Sequence, residues 1–276
     1  MRIAFVTSMA SSPWGGSERL WSAAAETAAQ QGHRVAVFAP RWRKQPEALA
    51  RLAQQGAALF LRHRAMRGPL EAVLPRLVVP LTYRQLARWQ PDVVCISQGA
   101  AYDSVRGGLW YAAQRLCRAR RVPYVVVSQA NSDRTQSVLS EKLRQRGRDF
   151  FGQAARTAFL SDLEVQAVER QLAQRLPNSV VLRNPVNLRD TSRVTWPSDK
   201  TANLAVVARL HAGDKGQDLL FEVLAQPAWQ RRAWRLSLYG EGPSRRYFEE
   251  LIAHFGLSER VTLAGWADDI REVWAR

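Results

Sequence analysis

The start of the chain leaves little choice of architecture. Arg2–Thr7 is a short apolar run, Ser8–Gly16 is a loop, and Ser17–Gln31 carries Leu20, Ala24 and Ala28 at helical spacing before the stop residue Gly32. His33–Ala39 is a second apolar run. Strand, loop, helix and strand in that order make a βαβ unit, which demands parallel strands and a right-handed crossover. The expected class is therefore α/β.

The alternation continues. Arg41–Gln55 reads as a polar helix, Ala57–Leu61 as a strand, Pro91–Ser97 as a buried strand, Leu109–Arg120 as a helix and Pro123–Ser128 as a strand. Glu141–Gln153 is a basic amphipathic helix, Thr157–Leu160 a strand, Asp162–Arg175 a helix and Val180–Leu182 a strand. One stretch departs from this pattern. Arg62–Gln90 mixes apolar residues with Pro69, Pro75 and Pro80 and with Arg62, Arg64, Arg67, Arg76 and Arg84, and it reads either as a kinked helix packed on the sheet or as a basic interfacial segment. Ligands of open parallel sheets bind beyond the carboxyl ends of the strands. That rule makes Ser97, Gln98, Tyr102, Asp103, Gln129, Asn131 and Ser132 the polar groups able to line a crevice, with loop capping as their competing role.

Asn184–Thr201 has two prolines and no periodicity, and reads as a linker. The alternation then restarts with Leu204–Leu210 as a strand, Gln217–Ala225 as a helix and Arg235–Tyr239 as a strand. A Gly240-Glu241-Gly242-Pro243 turn follows, then a Ser244–Phe255 helix with Tyr247, Leu251, Ile252 and Phe255 on one face, and a short Val261–Leu263 strand. Within Asn203–Gly216 the run Leu204–Ala208 is expected to be buried. Arg209, Asp214 and Lys215 follow in a loop, with Lys215 in the first turn of the next helix. A cation at the amide end of a helix is unfavourable unless an anion neutralises both, so this turn points to a phosphate.

The loop S-S-P-W-G-G-S-E offers a second anion site. Gly15 and Gly16 permit close backbone approach and Ser17 is a good N-cap, although a plain tight turn would use the same glycines. The loop is not G-x-G-x-x-G, and Ala39 and Pro40 stand where a ribose-binding carboxylate is expected, which disfavours NAD.

Composition narrows the partners only a little. The net charge of +16 is uneven: residues 1–199 carry 29 basic and 14 acidic side chains. The choices are an anionic substrate, an anionic membrane face, nucleic acid or a merely solvated basic surface, and nucleic acid is disfavoured because no recognisable module or aromatic stacking platform accompanies the charge. Cys95 and Cys117 lack metal-ligand spacing and read as buried thiols. No segment nears the roughly 20 apolar residues of a membrane span, so the expected location is cytoplasmic, with peripheral contact at the inner membrane face as a further expectation.

Several motifs in order then carry a resemblance: W-G-G-S-E at Trp14–Glu18, N-P-V at Asn184–Val186, V-A-R-L at Val207–Leu210, D-K-G-Q-D-L-L at Asp214–Leu220 and Y-G-E-G-P at Tyr239–Pro243. Together they resemble the retaining glycosyltransferases of family four. The resemblance implies the GT-B fold, with two Rossmann-like βαβ domains whose parallel sheets face each other across a cleft. Residues 1–187 would be the acceptor-side domain, 188–201 the linker, and 202–276 an incomplete nucleotide-sugar-binding domain. It further implies sugar transfer from a nucleotide-sugar donor to a glycan, lipid-linked or small-molecule acceptor with retention of configuration.

In that family pattern Arg209 and Lys215 act on the donor diphosphate as the catalytic cations, Gly15 and Gly16 approach it through the backbone, and Glu241 and Gly242 lie near the base. Ser17, Glu18, Gln98, Tyr102, Gln129 and Asn131 would be the acceptor and sugar side. Gln129 stands where many relatives have histidine and is assigned to sugar positioning, since an amide cannot act as a base. Neither a cofactor nor a metal is expected, in keeping with the lack of a D-x-D motif. Relatives continue into two glutamates separated by seven residues, and this sequence ends before them, so the resemblance implies truncation. A non-catalytic nucleotide- or glycan-binding protein of the same fold is the alternative from another class.

Overall fold

The computed structural model describes residues 1–8, 14–43, 45–62, 74–106, 108–130, 139–186, 192–193, 195 and 201–275, with the side chains of 74–80 and 108–112 also left aside. The chain divides into two compact units, Met1–Val186 and Asn187–Arg276. The expected linker at 188–201 lies largely outside the described residues.

Unit 1 runs β1 (Arg2–Thr7), α1 (Gly16–Gln30), β2 (Arg34–Pro40), α2 (Glu47–Gln54), β3 (Ala58–Arg62), α3 (Leu74–Trp89) and β4 (Val93–Ala100). It continues through α4 (Asp103–Arg106), α5 (Gly108–Arg120), β5 (Tyr124–Ala130), α6 (Glu141–Gly152), β6 (Arg156–Phe159), α7 (Asp162–Leu172) and β7 (Ser179–Val181). The seven strands are parallel in the order β3-β2-β1-β4-β5-β6-β7.

Because successive side chains on a strand point to opposite faces, the apolar runs supply two cores at once. Phe5, Val35 and Val37 pack with Trp21 and Ala25 of α1 and Leu49 and Leu52 of α2. Ala4, Val6, Phe38 and Ile96 face the other way, onto Leu86 of α3, Leu116 of α5, Phe150 and Phe151 of α6 and Leu172 of α7. Strand order reverses between β1 and β4, and Thr7 lies beside Ser97 at that switch point. The loop after β1 is stitched there, with Ser8 N–H donating to the Ser97 carbonyl at 2.9 Å and Gly99 N–H to Ser8 Oγ at 3.2 Å.

Two readings of the sequence shift. The helix expected over Arg41–Gln55 starts only at Glu47, because Pro46 occupies its N-cap with extended backbone. The prolines of Arg62–Gln90 do not prevent a helix from Leu74 to Trp89, and its carboxyl half buries Leu86, which is the packed-helix alternative. The rest of that stretch, 63–73, lies outside the described residues. No described helix is long and apolar enough to cross a membrane.

Unit 2 runs β8 (Ala202–Val207), α8 (Ala212–Lys215), α9 (Gln217–Leu224), α10 (Pro227–Gln230), β9 (Trp234–Tyr239), α11 (Arg245–His254), β10 (Val261–Gly265) and α12 (Ile270–Trp274), with a parallel sheet ordered β10-β9-β8. Its core gathers Leu210, Phe221, Trp234, Leu236, Leu238, Phe248, Ile252 and Val261, and Phe221 meets Phe248 edge-on at 5.6 Å between ring centres.

The run Leu204–Ala208, expected to be buried, is half-exposed, because β8 is an edge strand paired only with β9 among the described residues. Of the face expected on α11, Ile252 is buried and Leu251 and Phe255 pack against the core, whereas Tyr247 is 45% exposed and Phe248 is buried instead.

Burial pushes the thiols of Cys95 and Cys117 from 9.0 up to about 12, and pushes the hydroxyls of Tyr102 and Tyr124 up as well. Below about pH 9 the thiols are protonated in both the folded and unfolded states. Between there and about 12 only the unfolded chain ionises them, so unfolding releases protons and stability falls as pH rises. The urea midpoint of unit 1 should hold steady up to about pH 9 and decline above it, and Cys95→Ser with Cys117→Ser should flatten that decline. An unchanged slope in the double variant would contradict the assignment.

Candidate functional site

In unit 2 the chain leaving β8 is fixed peptide by peptide. Ala208 N–H donates to the Tyr239 carbonyl at 3.0 Å, Leu210 N–H to the Glu241 carbonyl at 3.1 Å, and Ser244 N–H to the Leu210 carbonyl at 3.2 Å. Ala212 N–H donates to Ser244 Oγ at 3.2 Å, and the buried Gln217 amide donates to the Arg209 carbonyl at 2.9 Å.

The Gly-Glu-Gly turn makes this possible by having no side chains where it touches. A Cβ on Gly240 would overlap the Ala208 carbonyl, standing 2.9 Å from its carbon, and one on Gly242 would overlap the Leu210 carbonyl and stand 2.9 Å from the Leu210 nitrogen. Gly240 also has φ +143, a backbone that L side chains rarely adopt. The turn was expected near a nucleotide base; within this unit it is the brace that positions Arg209. The Glu241 side chain is exposed.

Arg209 is not an isolated cation. Its guanidinium pairs with the Asp214 carboxylate, which also lies 3.3 Å from His211 Nδ1. Lys215 is exposed and closes α8, one residue before Gly216, whose φ of 65 ends α8 and starts α9. The expectation that Lys215 lies in the first turn of the long helix is therefore corrected. A left-handed Gly216 breaks the helix there, so Lys215 sits at a carboxyl end, where a cation is favourable. What survives is a compact arrangement: Arg209 and Lys215 flank the amino end of α9, which has no side-chain cap. Open helix amides beside two cations are a combination that favours a nearby negative charge.

In unit 1, Gly15 has extended backbone (φ −154, ψ −175) and serves as N-cap of α1, while Gly16 is the first helical residue. Neither uses the left-handed region, and residues 9–13 of the loop lie outside the described residues. Ser17 is not the N-cap. It lies inside the helix, and its hydroxyl donates to the Glu18 carboxylate. Glu18 is 2% exposed and also accepts from Thr7 Oγ1 at 2.6 Å and from Trp21 Nε1 at 3.4 Å. These two residues brace the glycine loop against β1 rather than face outward.

Two crevice assignments change in the same way. Gln98 is buried as a loop cap, donating to the Ala101 carbonyl at 2.7 Å and accepting from Ser104 N–H at 3.1 Å. Tyr102 has no exposed surface and its hydroxyl donates to Gln171 at 2.8 Å, so it belongs to the core. Asp103 accepts from Ala100 N–H at 2.9 Å, and burial pushes its carboxyl up. Gln129 pairs with Asn184 at 2.8 Å, whereas Asn131 and Ser132 lie outside the described residues.

Arg62 was not singled out for the site from the sequence. At the end of β3 its guanidinium donates to the Thr7 carbonyl at 2.8 Å, and burial pushes it down to about 9, still charged at neutral pH. The sequence had marked it only as one of the basic residues of the proline-interrupted stretch that follows the apolar strand.

The model for Glycosyltransferase Family 4 matches residues 14–190, and one for group 1 glycosyl transferases matches 201–276. This chain belongs to glycosyltransferase family 4. The family 4 chain is 28% identical over 119 residues to an exopolysaccharide phosphotransferase, SCO2592, of Streptomyces coelicolor. That match covers 42% of the chain and spans only 12% of the relative.

Among solved structures, the lipopolysaccharide outer core galactosyltransferase WaaB aligns with TM-score 0.66 and 20% identity over 99% of this chain and 70% of its own. Anabaena HepE in complex with UDP and glucose aligns with TM-score 0.65 and 20% identity over 99% and 71%. A Rickettsia africae glycosyltransferase gives TM-score 0.65 and 14% identity over 99% and 70%. At these identities the likeness shows the fold, which is of the GT-B class.

Replacing Gly240 or Gly242 with Ala should destabilise unit 2 by at least about 3 kcal/mol, because the obstacle is backbone rather than a side chain that can turn away. Gly256→Ala is the control, with φ +65 but open space around it, and should cost only about 1 kcal/mol. Equal losses in chemical denaturation would refute the brace.

Proposed function

We propose that the chain transfers a sugar from a nucleotide-sugar donor to a glycan, lipid-linked or small-molecule acceptor with retention of configuration. The observation that carries the reading is the Arg209–Lys215 stretch, two cations beside an uncapped helix and pinned by the glycine brace. As the bond between sugar and phosphate breaks, negative charge accumulates on the diphosphate oxygens. Cations fixed in advance stabilise that state more than the ground state.

Gly15 and Gly16 need no left-handed backbone, and a Cβ on Gly16 would meet only ordinary contact at 3.6 Å from Asn184 Nδ2. Their lack of side chains is accounted for by close approach of an anionic ligand to the α1 amides. Gln129 cannot accept a proton at neutral pH, so the departing phosphate takes the proton of the acceptor hydroxyl. Neither a metal nor a cofactor is part of this reading. HepE with UDP-glucose and the galactosyltransferase WaaB support a nucleotide-sugar donor and a polysaccharide or glycolipid product.

Thermal shift with UDP, GDP and ADP and their glucose or mannose conjugates should identify one nucleotide that raises the melting temperature. Lys215→Ala should remove that shift, and Arg209→Ala should lower turnover about 100- to 1000-fold. A shift that survives Lys215→Ala would reject the diphosphate assignment.

The excess of basic residues in 1–199 supports an acceptor at an anionic membrane face on the cytoplasmic side. Vesicles with anionic lipid should sediment the protein at low salt and release it at high salt. Protein that stays in the supernatant at every salt concentration would remove the membrane from the reading.

A further inference from the structure

The stretch that carries the two cations of unit 2 is tied to a helix by a buried side chain. Gln217 is 1% exposed, and its Nε2 donates to the Arg209 carbonyl at 2.9 Å. The bonded partner is a carbonyl, so chemistry fixes which end of the amide faces it. On the other side of the same peptide, Leu210 N–H donates to the Glu241 carbonyl at 3.1 Å. A peptide group is planar, so bonds at its oxygen and its nitrogen hold the whole plane. The point from which the Arg209 side chain departs is therefore set from two directions, by the glycine turn and by α9.

Gln217 makes this bond at a disadvantage to itself. Its Oε1 is shut off from solvent and has no hydrogen-bond partner among the described residues. An apolar side chain of the same length would leave no such orphan, and orphaned buried polar atoms are rare in folded proteins. The residue also stands first in α9, directly after left-handed Gly216. A polar side chain at the start of a helix commonly bonds free backbone amides there. Gln217 turns back to Arg209 instead, and α9 is left without a side-chain cap. Stability of the helix end explains neither choice.

Both choices are explained by what the stretch has to hold. We propose that Gln217 is a positioning residue that locks Arg209 to the amino end of α9, so that one diphosphate meets the guanidinium and the open amides in a single fixed geometry. It touches no substrate and acts through Arg209. Without the tie, the ligand itself must bring guanidinium and amides into register, which weakens binding. This role rests on the reading of Arg209 as a diphosphate-binding cation, and the test separates the two.

The full chain and its Gln217→Met, Arg209→Ala and doubly substituted variants are titrated calorimetrically with UDP, GDP and ADP. Methionine has nearly the length of glutamine but no N–H to donate. Cooperative melting of each unliganded variant shows that it folds, and Gln217→Leu takes the place of Gln217→Met if the methionine form does not. In parallel, the Nε–H signal of Arg209 is followed by nuclear magnetic resonance in the nitrogen-labelled chain without nucleotide, assigned by its loss in Arg209→Ala.

For a nucleotide that binds, Gln217→Met should lower affinity about tenfold in the wild-type background and less than about twofold beside Arg209→Ala, because a tie that acts through Arg209 has nothing left to position there. The Arg209 signal should move towards the position shared by mobile arginines. Equal losses in both backgrounds, or no loss in either, overturn the positioning role and leave Gln217 as packing. An unmoved Arg209 signal overturns it as well, and so does failure of both Gln217 variants to fold, since the residue then serves the fold itself. If the signal moves but none of the three nucleotides binds any form of the chain, the tie stands and the diphosphate reading falls.

Discussion

Parallel pairing is the constraint on which everything else in this chain rests. When all strands run the same way, all their carboxyl ends emerge on one edge, and each connection must cross a face and return. In unit 1 that edge collects Thr7, Arg62, Ser97 and Gln129 from four strands that are far apart in sequence. In unit 2 it places Arg209 just past β8 and Gly240 just past β9. Neither set is assembled by local sequence. In unit 1 the two-faced burial of the strands holds that edge in place, since a one-residue slip would send each side chain to the opposite face and misfit both cores.

Element types were largely legible, because apolar periodicity reports burial and burial fixes the pattern of strand and helix. Misreadings arose where one residue overrules periodicity. Pro46 delays α2, and left-handed Gly216 leaves Lys215 outside the expected helix, at the end of the short α8. β8 was misread for a different reason. Its composition suits a central strand, yet among the described residues it pairs only with β9, and pairing is something no single stretch encodes.

The site was legible by residue but not by role. Glu18 and Ser17 looked like outward polar groups and are internal braces, while Tyr102 and Gln98 were drawn into the core and a loop. Polar residue types announce hydrogen bonding but not its direction, which depends on what lies three or more residues away. Asn184 shows the same limit from the other side. It was visible only as part of a short motif, and its partner Gln129 is 55 positions distant.

Asp214 gives the proposed anion site of unit 2 a character that counting cations would miss. Arg209 already has a resident counter-ion, so any incoming anion reaches it by displacing a carboxylate rather than by filling a vacancy. Association there is ion exchange. A monoanion swaps one weak, half-exposed pairing for another and gains little. A polyvalent anion of the kind proposed would gain at Arg209, at Lys215 and at the α9 amides together. If the diphosphate proposed here binds this stretch, the carboxylate would favour it over the simple anions that surround every protein.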